Sequence, residues 1–213
     1  MAGMAVERWT PERRRELTRT ALLEAAAQVF ARRGFYGASL DEIAATAGFT
    51  RGAIYKNFED KEGLFLAAIE RRAQNRLAAF SDWFEERIEE GATPATRDPS
   101  ELARAFRQIM APDSEWFALD LEARLYALRN PEFRQRYIVN YNHTTEAIAR
   151  LMEELSPQGM TTRLDTVRLA RVLEVAAEGF VAWTHLDPDD GELFESFSEL
   201  VTGAIFGGSE PPS

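Results

Sequence analysis

Between Ser39 and Phe58 the chain reads SLDEIAATAGFTRGAIYKNF, which starts a helix, stops it and starts another within 20 residues. Ser39, with Glu42 three positions on, forms a capping box in which each can satisfy the other's backbone at a helix start. Leu40, Ile43, Ala44 and Ala47 then recur at i, i+3, i+4 and i+7, one apolar face of a helix. Gly48 suits the left-handed turn that closes such a helix. Thr50 is expected to cap the next one, which turns Ile54 and Phe58 inward. Two short helices around a tight glycine-containing turn, braced by a third, constitute a helix-turn-helix.

The rest of the chain punctuates in the same way, and its expected class is all-α. No alternating strand pattern and no Asn-Gly or Asp-Gly hairpin turn between β-branched runs is present. Thr10-Pro11 is an N-cap followed by proline at the first helical position. From there Leu17, Ala21, Leu22, Ala25, Val29 and Phe30 keep helical spacing as far as Gly34. Asp60 can cap a long fourth helix carrying Leu64, Phe65, Ala68, Ile69, Leu77, Phe80, Phe84 and Ile88, about 30 residues and about 45 Å at 1.5 Å per residue. The segment GATPATRDPS (91–100) is the clearest break. Helices are expected near 100–111, 114–129, 132–156, 162–186 and 192–206, separated by Pro112, Asn130-Pro131, Ser156-Pro157-Gln158-Gly159 and Asp187-Pro188-Asp189-Asp190-Gly191. This divides the chain into a head at 11–60, a body at 61–206, and flexible ends at 1–10 and 207–213.

Composition excludes several classes. Of the 213 residues 45% are hydrophobic, enough for a sizeable core, and no apolar run approaches the ~20 residues of a membrane span. The N-terminus lacks the apolar stretch of a signal peptide. There is no cysteine, which removes disulfides, thiolate zinc sites and cysteine nucleophiles and fits a reducing cytoplasm. The net charge of −10 at first opposes a nucleic-acid partner. Its distribution reverses that: residues 1–63 hold ten basic and nine acidic side chains, and the other 150 hold fifteen and twenty-six. A near-neutral head can offer a local basic face while an acidic body discourages adhesion elsewhere.

The second short helix contains Gly52, which costs a helix about 1 kcal/mol relative to alanine. A helix that enters the major groove gives that glycine a purpose, because base edges there lie close to the backbone. With Ile54 and Phe58 inward, Arg51, Gly52, Tyr55 and Lys56 remain outward. Arg51 and Lys56 can reach guanine edges or phosphates, and Tyr55 a phosphate or a thymine methyl. Ser39 and Thr50 sit at helix N-termini, where free amides favour phosphate, and Lys61 is placed for another phosphate contact.

The run SLDEIAATAGFTRGAIYKNFEDKEGLFLAAI (39–69), preceded by AAAQVFARRGFYGA (25–38), closely resembles the TetR family of bacterial transcriptional regulators. It is most similar to the branch of multidrug-efflux repressors whose recognition helix reads Thr-Arg-Gly-Ala-Ile-Tyr. The resemblance covers about residues 11–70. It implies that Thr50, Arg51, Gly52, Tyr55 and Lys56 face an operator and that Ser39, Thr46, Asn57 and Lys61 hold the DNA backbone. Asn57 stands where this branch most often has histidine, and Lys56 where an aromatic is frequent, so operator sequence and phosphate geometry are expected to differ from those members. For the body the resemblance implies a helical domain for ligand binding and dimerisation.

Two features of the body can be read directly. One helix carries Leu169, Val172, Ala176, Phe180 and Trp183, and the last carries Leu193, Phe194, Phe197, Leu200, Val201 and Ile205. Paired across two copies they would make a four-helix interface, with Val172, Ala176, Phe180, Phe194, Phe197, Leu200 and Val201 in the homodimer contact; the competing reading is that they fill the monomer's own core. A two-fold dimer suits a palindromic operator with half-sites ~34–36 Å apart or a multiple of that. The middle helices are aromatic. Phe106, Trp116, Phe117, Tyr126, Tyr137, Tyr141 and Trp183, with the polar Arg124, Asn140, His143 and Thr144 among them, are candidates to line an apolar effector pocket with a few directional groups. The effector expected is a sizeable apolar or aromatic molecule.

No cofactor is expected. His185-Leu186-Asp187, near Asp189, Asp190 and Glu192, reads as a solvated turn between helices rather than a metal site. G-x-S-x-G, G-x-G-x-x-G, P-loop and H-E-x-x-H patterns are all missing, so no catalytic residue is assigned and the chain is not expected to be an enzyme. The leading expectation is a ligand-released dimeric repressor. An activator using the same DNA contacts, or a small-molecule-binding or enzymatic protein with a vestigial head, are the alternatives.

Overall fold

The structure is a computed structural model. It describes residues 10–89, 104, 108–109, 114–155, 164–187, 192–193, 195–197 and 199–200. Every regular element among them is helical: α1 (Pro11–Gly37), α2 (Leu40–Thr46), α3 (Arg51–Asn57), α4 (Lys61–Glu89), α5 (Ser114–Arg129), α6 (Pro131–Leu155) and α7 (Thr166–Leu186). Short helical pieces follow at 192–193, 195–197 and 199–200. The expected break at 91–100, most of the expected helix 100–111, the turns at 156–163 and 188–191 and both chain ends lie outside the described residues, as does Phe106.

Local chemistry sets the helix starts. Thr10 Oγ1 accepts the Arg13 amide at 3.2 Å, Ser39 Oγ the Glu42 amide at 3.0 Å, and Asp165 Oδ1 the Arg168 amide at 2.9 Å. The capping box at Ser39 is half-formed, since the Glu42 carboxylate faces Arg33 Nε at 3.5 Å. Thr50 has the extended backbone of an N-cap, but its hydroxyl makes no capping hydrogen bond, contrary to expectation. Asp60 caps α4 through the Gly63 amide. Leu17, expected on the inner face of α1, is 46% exposed, within a first stretch, 11–17, whose residues are all exposed.

One continuous core joins head and body. Leu22, Val29 and Phe30 of α1, Ile43 of α2, Ile54 of α3 and Leu64 and Phe65 of α4 share it with Trp116, Leu119 and Ala123 of α5 and Phe133 of α6. Phe65 is its hinge, with its ring centroid 4.9 Å from Phe30, 4.8 Å from Phe35 and 6.3 Å from Phe133. A second cluster pins α6 to α7 through Ala149, Met152, Leu169 and Ala170.

The apolar run of α1 is interrupted at Gly34, where φ is +70° and ψ 171°, a combination open essentially to glycine alone. A further turn, Phe35 to Gly37, continues beyond the break. A Cβ at Gly34 would lie 2.8 Å from Glu122 Oε2, whereas one at Gly37 would meet nothing nearer than Arg33 Cβ at 3.6 Å. Gly34→Ala is therefore expected to destabilise the protein by about 2 kcal/mol, with Gly37→Ala near neutral, in urea unfolding followed by circular dichroism.

Candidate nucleic-acid interface and interior polar site

The recognition surface is built from the turn outward. Gly48 takes φ +73°, its amide bonds the Ala45 carbonyl at 3.1 Å, and the Phe49 amide bonds that of Ala44 at 2.9 Å. This closes α2 in the left-handed manner and delivers the chain to α3 at a new angle. Ile54 is fully buried and Phe58 nearly so, which leaves Thr50, Arg51, Gly52, Tyr55 and Lys56 exposed together. Nothing internal requires glycine at position 52: an added Cβ would meet only Thr50 Oγ1, at 3.7 Å.

Arg51 is already oriented. Its Nη1 bonds Asp41 Oδ2 at 3.1 Å and its Nη2 donates to Tyr55 Oη at 3.0 Å. The Tyr55 hydroxyl and then the Asp41 carboxylate hold the guanidinium above its ordinary range, so it stays fully charged. Each terminal nitrogen keeps a second N–H for a base or phosphate.

Other expected contacts are arranged differently. Ser39 and Thr46 are exposed on the flank of α2. Asn57 is half-buried, and its Nδ2 donates to the Ala53 carbonyl at 2.8 Å, closing α3 rather than reaching outward. Lys61 turns inward, with Nζ 4.8 Å from the centre of the Phe35 ring. Burial lowers its ammonium, opposed by the Glu122 carboxylate. Sequence reasoning missed the arginines of α1. Arg19 Nη1 donates to the Asn57 carbonyl at 3.0 Å and Arg15 Nη2 lies 3.5 Å from that of Lys56, both at the C-terminal end of α3. Pro11, Arg14, Arg15, Thr18 and Lys56 line an open recess beside the recognition helix. The run Arg13-Arg14-Arg15 was visible, but not that α1 crosses α3 there.

The interior of the body is more polar than its aromatic sequence suggests. Arg124 of α5 bonds Glu178 of α7 at 2.6 Å and lies 3.4 Å from the Tyr137 hydroxyl of α6. Asp120 stands 3.9 Å from Arg76 of α4, and Arg72 lies 4.6 Å over the Trp116 ring. Thr145, fully buried, donates to Glu174 at 2.6 Å. The Tyr141 hydroxyl is buried near Glu174 and Glu178 with no hydrogen bond within 3.5 Å among the described residues, and burial pushes it upward. Of the pocket residues expected, Arg124, Tyr137 and Tyr141 meet here, while Trp116 is buried in the core beneath Arg72. Asn140 reaches the Leu66 carbonyl at 3.5 Å, and Phe117 stacks on His185 at 4.5 Å. Tyr126 belongs elsewhere: its hydroxyl donates to Glu62 at 2.6 Å in the head–body joint, which pushes it up to about 12. His143 is exposed and Trp183 is 45% exposed, so neither belongs to this interior. The carboxylates Glu174 and Glu178 were overlooked, although their i, i+4 spacing inside the apolar stretch of α7 marked them.

His185 stacks on Phe117, and its Nδ1–H donates to the Val181 carbonyl at 2.8 Å. Among the described residues no cluster of three or more His, Asp or Glu side chains could hold a metal ion, and no helix is long and apolar enough to cross a membrane. The dimer face also needs revision. Phe197 is 5% exposed and packs on Phe180 at 4.2 Å, so it belongs to the monomer's own packing. Ala176 is half-buried, and Phe194 and Val201 lie outside the described residues. Val172, Val175, Trp183 and Leu186 form an exposed stripe along α7, and Leu200 is exposed further on.

A tri-helical head whose second short helix, α3, is exposed and bears a glycine, joined to a helical body, has the architecture of a helix-turn-helix protein. Residues 22–68 match the model of the bacterial regulatory proteins of the tetR family. Over 190 residues the chain is 30% identical to the HTH-type transcriptional repressor AcnR of Corynebacterium diphtheriae, covering 89% of this chain and 92% of that one. A 54-residue segment is 56% identical to the HTH-type transcriptional repressor BepR of Brucella suis biovar 1, over 25% of this chain and 26% of that one. The fold is that of FadR from Bacillus subtilis, solved in complex with stearoyl-CoA, with a TM-score of 0.60 and 21% identity over 89% of this chain and 99% of that one. The chain belongs to the TetR family. It is a DNA-binding regulator of transcription and not an enzyme.

Burial pushes the Glu178 carboxyl up to about 7 despite Arg124, and Glu174 and Asp120 add like-charge repulsion. A carboxyl held above its ordinary 4.5 favours the fold when protonated; that contribution is complete below 4.5 and is lost as pH rises through about 7. Glu178→Gln cannot ionise. Its melting temperature relative to wild type is expected to rise by several degrees between about pH 5 and about pH 8 in scanning calorimetry.

Proposed function

We propose that this chain is a dimeric repressor that binds a palindromic operator through α3 and is released by a small molecule held in the body. The observation that carries the reading is the outward face of α3, where Gly52 has open space above it and Arg51, Tyr55 and Lys56 surround it. Thr50 joins these at the base edges. Ser39, Thr46 and the α1 arginines bind phosphates, Asn57 acts through its packing, and Lys61 is occupied at the joint. The head at 11–60 and the body at 61–206 serve as functional halves of one core, and the ends at 1–10 and 207–213 lie outside both. A cytoplasmic location goes with this reading, since a regulator acting on operator DNA must reach the bacterial chromosome.

The resemblance of Thr50-Arg51-Gly52-Ala53-Ile54-Tyr55 to the recognition helix of the efflux-repressor branch supports an operator of that type, and the 54-residue match to BepR supports a repressor. The effector is an aromatic molecule bearing polar groups, since Tyr137 bonds Arg124 and Tyr141 lies beside the Arg124–Glu178 pair. Dimerisation uses the stripe Val172, Val175, Trp183 and Leu186, which is too apolar to stay in water.

Selection of bound fragments from genomic DNA gives the operator duplex on which the reading is tested. Gly52→Ala is expected to leave the fold as stable as wild type or up to ~1 kcal/mol more stable, yet to weaken operator binding at least roughly tenfold in fluorescence anisotropy. Tyr55→Ala and Lys56→Ala lose specific binding with unchanged melting; full affinity in all three variants removes α3 as the reading helix. Val175→Asp is expected to sediment as a monomer, and a persistent dimer would relocate the interface.

A further inference from the structure

The break at Gly34 is occupied from outside the head. Glu122 of α5 places Oε2 2.9 Å from the Phe35 amide and Oε1 3.4 Å from the Tyr36 amide, one oxygen for each N–H. These amides open the turn beyond the non-helical Gly34, so the carboxylate caps them where the backbone dipoles favour negative charge. The seat exists because residue 34 lacks a side chain, as the 2.8 Å approach of a hypothetical Cβ to Oε2 shows. One turn along α5, Tyr126 bonds Glu62 at 2.6 Å and packs on the rings of Phe35 at 4.9 Å and Tyr36 at 5.7 Å. Arg136 of α6 reinforces the joint through Asp60 and Glu62 at 3.2 and 3.3 Å.

The other side of the same helix faces the interior. Successive helical residues advance by about 100°, so Asp120 and Arg124 lie opposite Glu122 and Tyr126. Asp120 and Arg124 meet Arg76 of α4 and Glu178 of α7. Between the two sides α5 is locked by Trp116, Leu119, Ala123 and Ala127, all buried. A helix so packed moves as a body rather than bending.

We propose that Glu122 is a positioning residue: by capping Phe35 and Tyr36 across the Gly34 break it holds the head at its operator-binding angle, and α5 carries any rearrangement of the Arg124–Glu178 pair to that joint. This rests on the reading of α1–α3 as the operator-binding head. It supplies a route from interior to head that is separate from the length of α4.

The test is a double-mutant cycle on the full-length dimer with two probes, the selected operator duplex and a scrambled duplex of equal length. Glu122→Ala is expected to weaken operator binding roughly tenfold while scrambled-duplex binding changes less than about twofold. Glu122→Gln keeps an acceptor oxygen and restores most of the affinity. Glu178→Gln is expected to shift operator affinity in the wild-type background and to add nothing in Glu122→Ala, because the signal has lost its terminus. Amide exchange at Phe35 and Tyr36 should quicken in Glu122→Ala and return in Glu122→Gln. Additive effects of the two substitutions, an equal loss on both duplexes, or wild-type operator affinity in Glu122→Ala would each overturn the proposal while leaving the operator reading intact. If wild type binds no duplex above the scrambled control, both fall.

Discussion

Two seven-residue helices have no stability of their own, because a helix that short forms too few hydrogen bonds to offset its nucleation. The recognition surface therefore depends on burying Ile43, Ile54 and Phe58 against α1 and α4. Each such side chain contributes roughly 1.5–3 kcal/mol when fully buried. Because this burial fixes the rotation of α3, it also fixes which of its residues face outward. The packing that stabilises the head and the choice of side chains left on its outer face are one constraint seen from two sides.

That constraint extends into the body. Phe65 at the start of α4 contacts Phe30 and Phe35 on one side and Phe133 on the other, so head and body have no apolar seam between them. The polar links sit around its rim: Glu122 on the Phe35 and Tyr36 amides, Tyr126 on Glu62, and Arg136 on Asp60 and Glu62. Hydrogen bonds and ion pairs of this kind depend on direction, unlike the apolar core, and so they can set an angle. The interior site lies on the far side of α5 from this rim, and its carboxylates are held there at a cost of desolvation. Arg124 compensates Glu178 and the Thr145 hydroxyl compensates Glu174, so the charge is held by partners on neighbouring helices.

Much of this was legible in the residues. The caps Thr10, Ser39 and Asp60, the left-handed Gly48 and the inward pair Ile54 and Phe58 all follow from local rules, and local rules dominate where elements are short. The aromatic content of the body was visible too, but its allocation was not. Tyr126 and Tyr137 have the same composition and similar helical settings, yet one braces the joint and the other faces Arg124. Phe197 and Val175 share apolar character, yet one packs on Phe180 and the other stays exposed.

The sequence by itself determined an all-helical chain, the helix-turn-helix and the set of side chains left on the outer face of α3. These depend on spacing along a single helix and on backbone preferences at its ends, which reach only three or four residues. The tertiary structure alone decided that Lys61 turns inward, that the α1 arginines reach the end of α3, that Glu122 enters the gap at Gly34 and that carboxylates lie inside the body. Each depends on which element packs beside which, over separations as long as the 87 residues between Phe35 and Glu122. No local periodicity carries that information, because it arises only when distant helices share one core.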